Sequence, residues 1–130
     1  MKISHNKPPH WRIMKAVFNP DWERTAFAFN KTIYSKYKLP DHLIEHESVH
    51  LEQQFHSWLG AWVWTLLYVI SKSFRYCMEL EAYQRQWRFF KTHYPQNTHG
   101  SFIQKVAGDL SGKLYGNIVS YDKAVRRIKS

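Results

Sequence analysis

The chain is short of cysteine, of glycine and proline, of acidic residues and of long apolar runs, and each shortage narrows what it can be. A single cysteine, Cys77, excludes an internal disulfide framework and fits a reducing compartment. Five glycines and five prolines form no low-complexity tract, and no internal repeat is present. The longest apolar stretch, Trp58–Ile70, has 13 residues, against the roughly 20 that a bilayer-crossing helix needs. Residues 1–10 hold no apolar segment of the secretory type, so the expected location is the cytoplasm. Only 10 acidic residues face 19 Lys and Arg, a net charge of +9 that permits contact with nucleic acid or anionic partners. The cations are spread over the whole chain without a nucleic-acid motif, and exposed helix faces are their simpler place.

Apolar residues make up 44% of the 130 and aromatics 17%, enough to pack one core and to exclude disorder. Residues 1–24, with Pro8, Pro9 and Pro20, read mostly as an N-terminal arm or loop, leaving 25–130 as a single domain. The aromatic and β-branched segment 25–35 predicts one strand, or two short ones turning at Asn30-Lys31. Pro40 and Asp41 open a helix expected to run from His42 to about Leu59, with Gly60 as its break. Further helices are expected over 61–71, 72–92 and 101–110, and Ser120 can cap a last one through Ile128. The expected fold is therefore α+β and helix-dominated, with a short β element near the start and four to five helices. Trp58–Ile70 reads as a buried core helix; its three Trp and one Tyr leave contact with a membrane interface as a second use.

Eight histidines are many for this length, and two lie in His46-Glu47-Ser48-Val49-His50. Histidines four apart on a helix stand one turn above each other and can grip one Zn2+ from one side. The glutamate between them can take a proton from a water that the ion activates. A chain of this composition would show roughly 0.02 such matches by chance. At the helical period Leu43, Ile44, Leu51, Phe55, Trp58 and Leu59 form an apolar stripe, while Glu45, Glu52 and His56 gather opposite. His46, Glu47 and His50 fall on the flank, bordering the core yet able to open to a cleft. The competing reading makes both histidines ordinary, partly exposed helix residues.

A catalytic zinc commonly takes three protein ligands. On the helix over 72–92, Tyr76, Leu80, Tyr83, Trp87 and Phe90 form the buried face, and Glu79 sits at its margin. Glu81 falls on the opposite side, where a pair with Arg85 is natural, so Glu79 is the better third ligand. His42, also four from His46, lacks a glutamate in the base position and reads as a first-turn residue that frays. His5 and His10 in the arm are given no role.

The pairing of His46-Glu47-Ser48-Val49-His50 with Glu79-Leu80-Glu81-Ala82 resembles the gluzincin metallopeptidases, particularly small ones, over residues 25–92. In many such families the first glutamate of a downstream E-x-x-A pattern is the third zinc ligand, which here implies Glu79. The continuation Leu51-Glu52-Gln53-Gln54 is also similar to short domains of that kind. The resemblance implies a minimal zincin-like fold and hydrolysis of a peptide or protein substrate aligned along the edge strand before the zinc helix. Where several of these families place an aspartate four residues after the ligand glutamate, this chain has Tyr83. Its hydroxyl could bond a zinc histidine or a developing oxyanion, or the ring could simply pack in the core. His93 and His99, in an expected loop, are further oxyanion donors to consider, although solvated roles suit them better. The alternative function is a catalytically inactive, zinc-stabilised interaction module that binds anionic partners through basic surface.

Overall fold

In the computed structural model, which describes residues 1–130, six α-helices accompany a three-stranded sheet. The N-terminal arm is structured. Lys2–Ser4 forms strand β1, and Trp11–Phe18 forms a two-turn helix, α1, directly after Pro8-Pro9. Trp11, Met14 and Phe18 recur at the helical period and pack into a cluster with Phe27, Trp64 and Tyr68. Eight residues are too few for that period to stand out in a segment broken by prolines.

Strands β2 (Phe27–Phe29) and β3 (Thr32–Tyr34) are the two short strands, turning at Asn30-Lys31. Asn30 takes φ 62°, the left-handed region that asparagine tolerates better than most residues. The sheet order is β1-β3-β2, with β1 parallel and β2 antiparallel to β3, so β2 is an edge.

Helix α2 spans Asp41–Gln53, six residues short of the expected end at Leu59. The fully buried Gln54 turns its side chain onto the hairpin: Nε2 donates to the Ala28 carbonyl at 3.0 Å, and Oε1 accepts from the Asn30 N–H at 2.9 Å. Phe55 and His56 then take φ 59° and 47°, which no α-helix accommodates. The apolar stripe is cut there, and Phe55, Trp58 and Leu59 lie exposed. Ser57 caps helix α3 (Trp58–Ile70), accepting from the Gly60 N–H at 3.0 Å. Gly60 is thus inside a first helical turn and not at a break.

Ser71 alone separates α3 from α4 (Lys72–His93), and its hydroxyl caps α4 by accepting from the Phe74 N–H. The buried Arg75 donates to the carbonyls of Tyr68, Val69 and Leu114, satisfying acceptors at the α3 terminus. Helix α4 is the axis of the molecule, touching α2, α3, α5 (His99–Leu110) and α6 (Tyr121–Lys129). Tyr76, Tyr83 and Trp87 from α4 meet Ile103, Leu110 and Ile128 from the last two helices in the largest core cluster. Ser120 caps α6 as expected, through the Lys123 N–H. No helix is long and apolar enough to cross a membrane.

A Cβ at Gly60 would stand 2.2 Å from the Gln54 carbonyl oxygen and 2.5 Å from the Ser57 hydroxyl. Gly60→Ala is therefore expected to lower stability by about 1–3 kcal/mol, through overpacking against backbone that cannot yield. Gly100→Ala, whose Cβ meets nothing within 4 Å, is the control and should be neutral or slightly stabilising. Urea unfolding of the two variants checks both outcomes.

Candidate metal centre

Helices α2 and α4 lie side by side, and this packing brings His46, His50 and Glu79 together. His46 Nε2 stands 3.0 Å from Glu79 Oε2, and His50 Nε2 stands 3.2 Å from Glu79 Oε1. All three side chains are buried, and one ligand atom from each lies within 4.8 Å of the others. Such a group could hold a metal ion.

The far nitrogen of each imidazole is tied down by a glutamine. Gln53 Nε2 donates to the Met78 carbonyl at 3.0 Å, so its Oε1 is the acceptor that faces His50 Nδ1 at 2.9 Å. The indole N–H of Trp64 donates to the same oxygen at 3.2 Å. His50 must therefore carry its proton on Nδ1 and present Nε2 to the centre. On the other side, Gln86 Oε1 lies 2.9 Å from His46 Nδ1, while Gln86 Nε2 lies 2.8 Å from His42 Nδ1. Burial, reinforced by neighbouring His46, holds the His42 pKa below its ordinary value, so a neutral His42 accepts from Gln86. Its ring packs edge-on against Phe90, Tyr94 and Phe102. His42 is thus a fixed support of the site and not a fraying end. Hydrogen bonds of this kind orient metal-binding imidazoles and fix their tautomer.

Glu79 is held in turn by Tyr68 of α3, whose hydroxyl donates to Oε1 at 2.9 Å. Burial opposes charge on this carboxylate, yet His50 and His46 outweigh it and hold the pKa well below the usual range. Burial likewise opposes charge on His50, but the Glu79 carboxylate prevails and pushes its pKa up to about 9. Without a metal, the centre is therefore a buried ion pair between His50 and Glu79. A divalent cation would supply the positive charge that this proton now provides.

The residues named from the sequence fall in distinct places. Glu47 is buried and opens with the ligands onto one cavity of about 450 Å³. Burial raises its carboxyl pKa against the pull of His50 and His46, and Glu79 raises it further. Tyr83 both packs in the core and lines the cavity, its ring centroid 4.7 Å from that of His46. Burial and the charge of Glu79 keep the phenols of Tyr68, Tyr83 and Tyr115 protonated, well above their ordinary range. Glu81 is exposed, and its expected partner Arg85 instead makes a two-pronged bond to Glu52 of α2, both contacts at 2.8 Å. A guanidinium fork matches a carboxylate across the helix pair better than one along its own helix. His93 bonds the Phe89 carbonyl and His99 the Tyr94 carbonyl, and neither lines the cavity. Neither is a loop residue as expected: His93 ends α4, fourteen residues and about 21 Å after Glu79, and His99 opens α5.

His10 is the residue that sequence reasoning missed. It is 2% exposed against the rings of Phe27 and Phe29, and it lines the same cavity. Its Nδ1 is buried without a hydrogen-bond partner. Only the folding of the arm onto β2 places it there, and no spacing in the sequence signals that. Gln86 and Tyr68 were hidden for the same reason, since their partners lie on other helices.

No family model matches the chain, and no curated protein or solved structure matches it significantly.

Two measurements test this geometry. Metal content after purification should fall at least tenfold in His46→Ala, His50→Ala and Glu79→Ala and stay unchanged in Glu81→Ala. The second concerns His10, whose pKa burial lowers from 6.5 to about 4. The unfolded chain then takes the proton more readily, so the stability is fully present above pH 6.5 and is lost as pH falls toward 4. Between pH 7 and pH 5 the metal-free protein should lose roughly 2 kcal/mol more than His10→Phe in urea unfolding with a chelator present.

Proposed function

We propose that the chain is a zinc-dependent hydrolase of the gluzincin type, cutting an amide bond in a peptide or protein. The observation that carries this reading is the convergence of His46, His50 and Glu79 on one point, with Glu47 opening onto the same cavity. Two imidazoles and one carboxylate, each fixed by a further hydrogen bond, are a donor set that suits zinc and leaves one coordination position open. Bound there, the ion would polarise a carbonyl and make water more acidic.

The chain's own residues supply the rest. Glu47, which opens onto the same cavity, accepts a proton from the attacking water and returns it to the leaving amine. Tyr83 and Tyr115 line the cavity with phenols that stay protonated, so each can donate to an oxygen that gains charge. His10, neutral through burial, adds an imidazole on the wall formed by the arm. Strand β2 is an edge of the sheet, and Thr25, Ala26, Phe27 and Ala28 line the cavity, which supports an extended substrate lying beside it.

Glu47→Gln is expected to keep its metal and to lower cleavage of a quenched fluorescent peptide mixture by roughly 10²–10⁴-fold. Metal-loaded wild-type protein that cleaves none of these peptides would instead favour an inactive, metal-stabilised binding module.

A further inference from the structure

Helix α3 has two faces that a water-surrounded helix does not normally combine. Ala61, Trp64, Thr65 and Tyr68 point inward, and Trp64 and Tyr68 there brace Gln53 and Glu79. On the opposite side Leu59, Val63, Leu66, Leu67 and Ile70 form a continuous stripe facing outward. Leu59 is 74% exposed, Leu66 60% and Ile70 67%. No polar or charged side chain interrupts this stripe, whereas a helix on a protein surface ordinarily carries them there. The turn before α3 extends the surface, since Phe55, at φ 59°, is 83% exposed. A bulky side chain in the left-handed region is a strained arrangement, here spent on holding a phenyl ring in the open.

The chemistry around the stripe selects what covers it. No acidic residue occurs between Glu52 and Glu79, whereas exposed cations stand at both ends: Lys72 lies two residues past the end of α3, and Lys31 adjoins Asn30, whose N–H bonds Gln54. Trp58 and Trp62 lie at one end, residues that favour the boundary between acyl chains and headgroups. A second copy docked through the same stripe would bring +9 against +9, and its own segment between Glu52 and Glu79 holds no acid to pair with either lysine. Protein partners also share about one hydrogen bond per 100–200 Å² of interface, and this stripe offers no side-chain donor or acceptor. At 13 residues, about 20 Å, the helix cannot cross a hydrocarbon core of about 30 Å but can lie in its boundary plane.

We infer that the outer face of α3, with Phe55 beside its N-terminus, docks on a membrane surface rich in anionic headgroups, seating Leu59, Val63, Leu66 and Ile70 at the acyl-chain boundary. The docking is independent of hydrolysis, so Glu47→Gln and metal-loaded wild type should bind membranes alike.

The test is flotation of the full chain with vesicles of phosphatidylcholine alone and of phosphatidylcholine with phosphatidylglycerol. Wild-type protein should float with the anionic vesicles and be released by high salt. Leu66→Glu and Ile70→Glu should each reduce the bound fraction at least tenfold while keeping their metal content, since neither side chain is part of the core. Acyl chains carrying bromine should quench the wild-type tryptophan fluorescence, a readout that needs no variant. Absence of flotation and quenching, equal binding to neutral vesicles, or undiminished binding of the glutamate variants would each overturn the inference. So would a lipid-free dimer in sedimentation that Leu66→Glu turns into a monomer, because a second copy would then cover the stripe.

Discussion

A carboxylate from α4, caught between two imidazoles of α2, is the contact around which the rest of the molecule is arranged. Three ionisable groups are buried at one point, and burial alone would make each of them costly. The cost is offset because every outward-facing atom has a partner: Gln53 and Gln86 for the histidines, Tyr68 for the glutamate. Those partners come from α2, α3 and α4, so three helices must be in place before the site is electrostatically tolerable. The Arg85–Glu52 fork on the surface holds the same helix pair together where water weakens it.

The division of labour among the histidines follows from these surroundings. His46 and His50 face the Glu79 carboxylate, an arrangement whose negative charge a cation could answer. His42 and His10 face aromatic rings, and burial keeps both uncharged. One residue type thus serves as partner to a buried carboxylate, as support for such a partner and as cavity wall, and the neighbours decide which.

The grouping of His46, His50 and Glu79 was legible in the sequence because all three sit on long helices, where a fixed period converts spacing into direction. The helix-dominated α+β class and the paired strands around Asn30 were legible for a similar reason, since local pattern and local geometry coincide there. The end of α2 was not. Its apolar period continues through Phe55, Trp58 and Leu59, but Gln54 is drawn to the hairpin 26 residues earlier in the chain, at Ala28. Arg85 deceived in the same way: Glu81 is the nearer partner in sequence, and Glu52 is the nearer one in space. His10 and Gln86 carry no local mark at all, since what gives each of them meaning lies on another element.

Two neighbouring amides at the end of α2 have a joint consequence. Gln53 steers the ring of His50, and Gln54, the very next residue, grips the hairpin that leads out of the cavity's edge strand. The candidate ligand His50 and the rim of the cleft therefore share one anchor. A slip of a single residue here would rotate both amides by about 100° and disengage ligand and rim together. An insertion or deletion between His46 and Ser57 would therefore damage the cleft at two points at once.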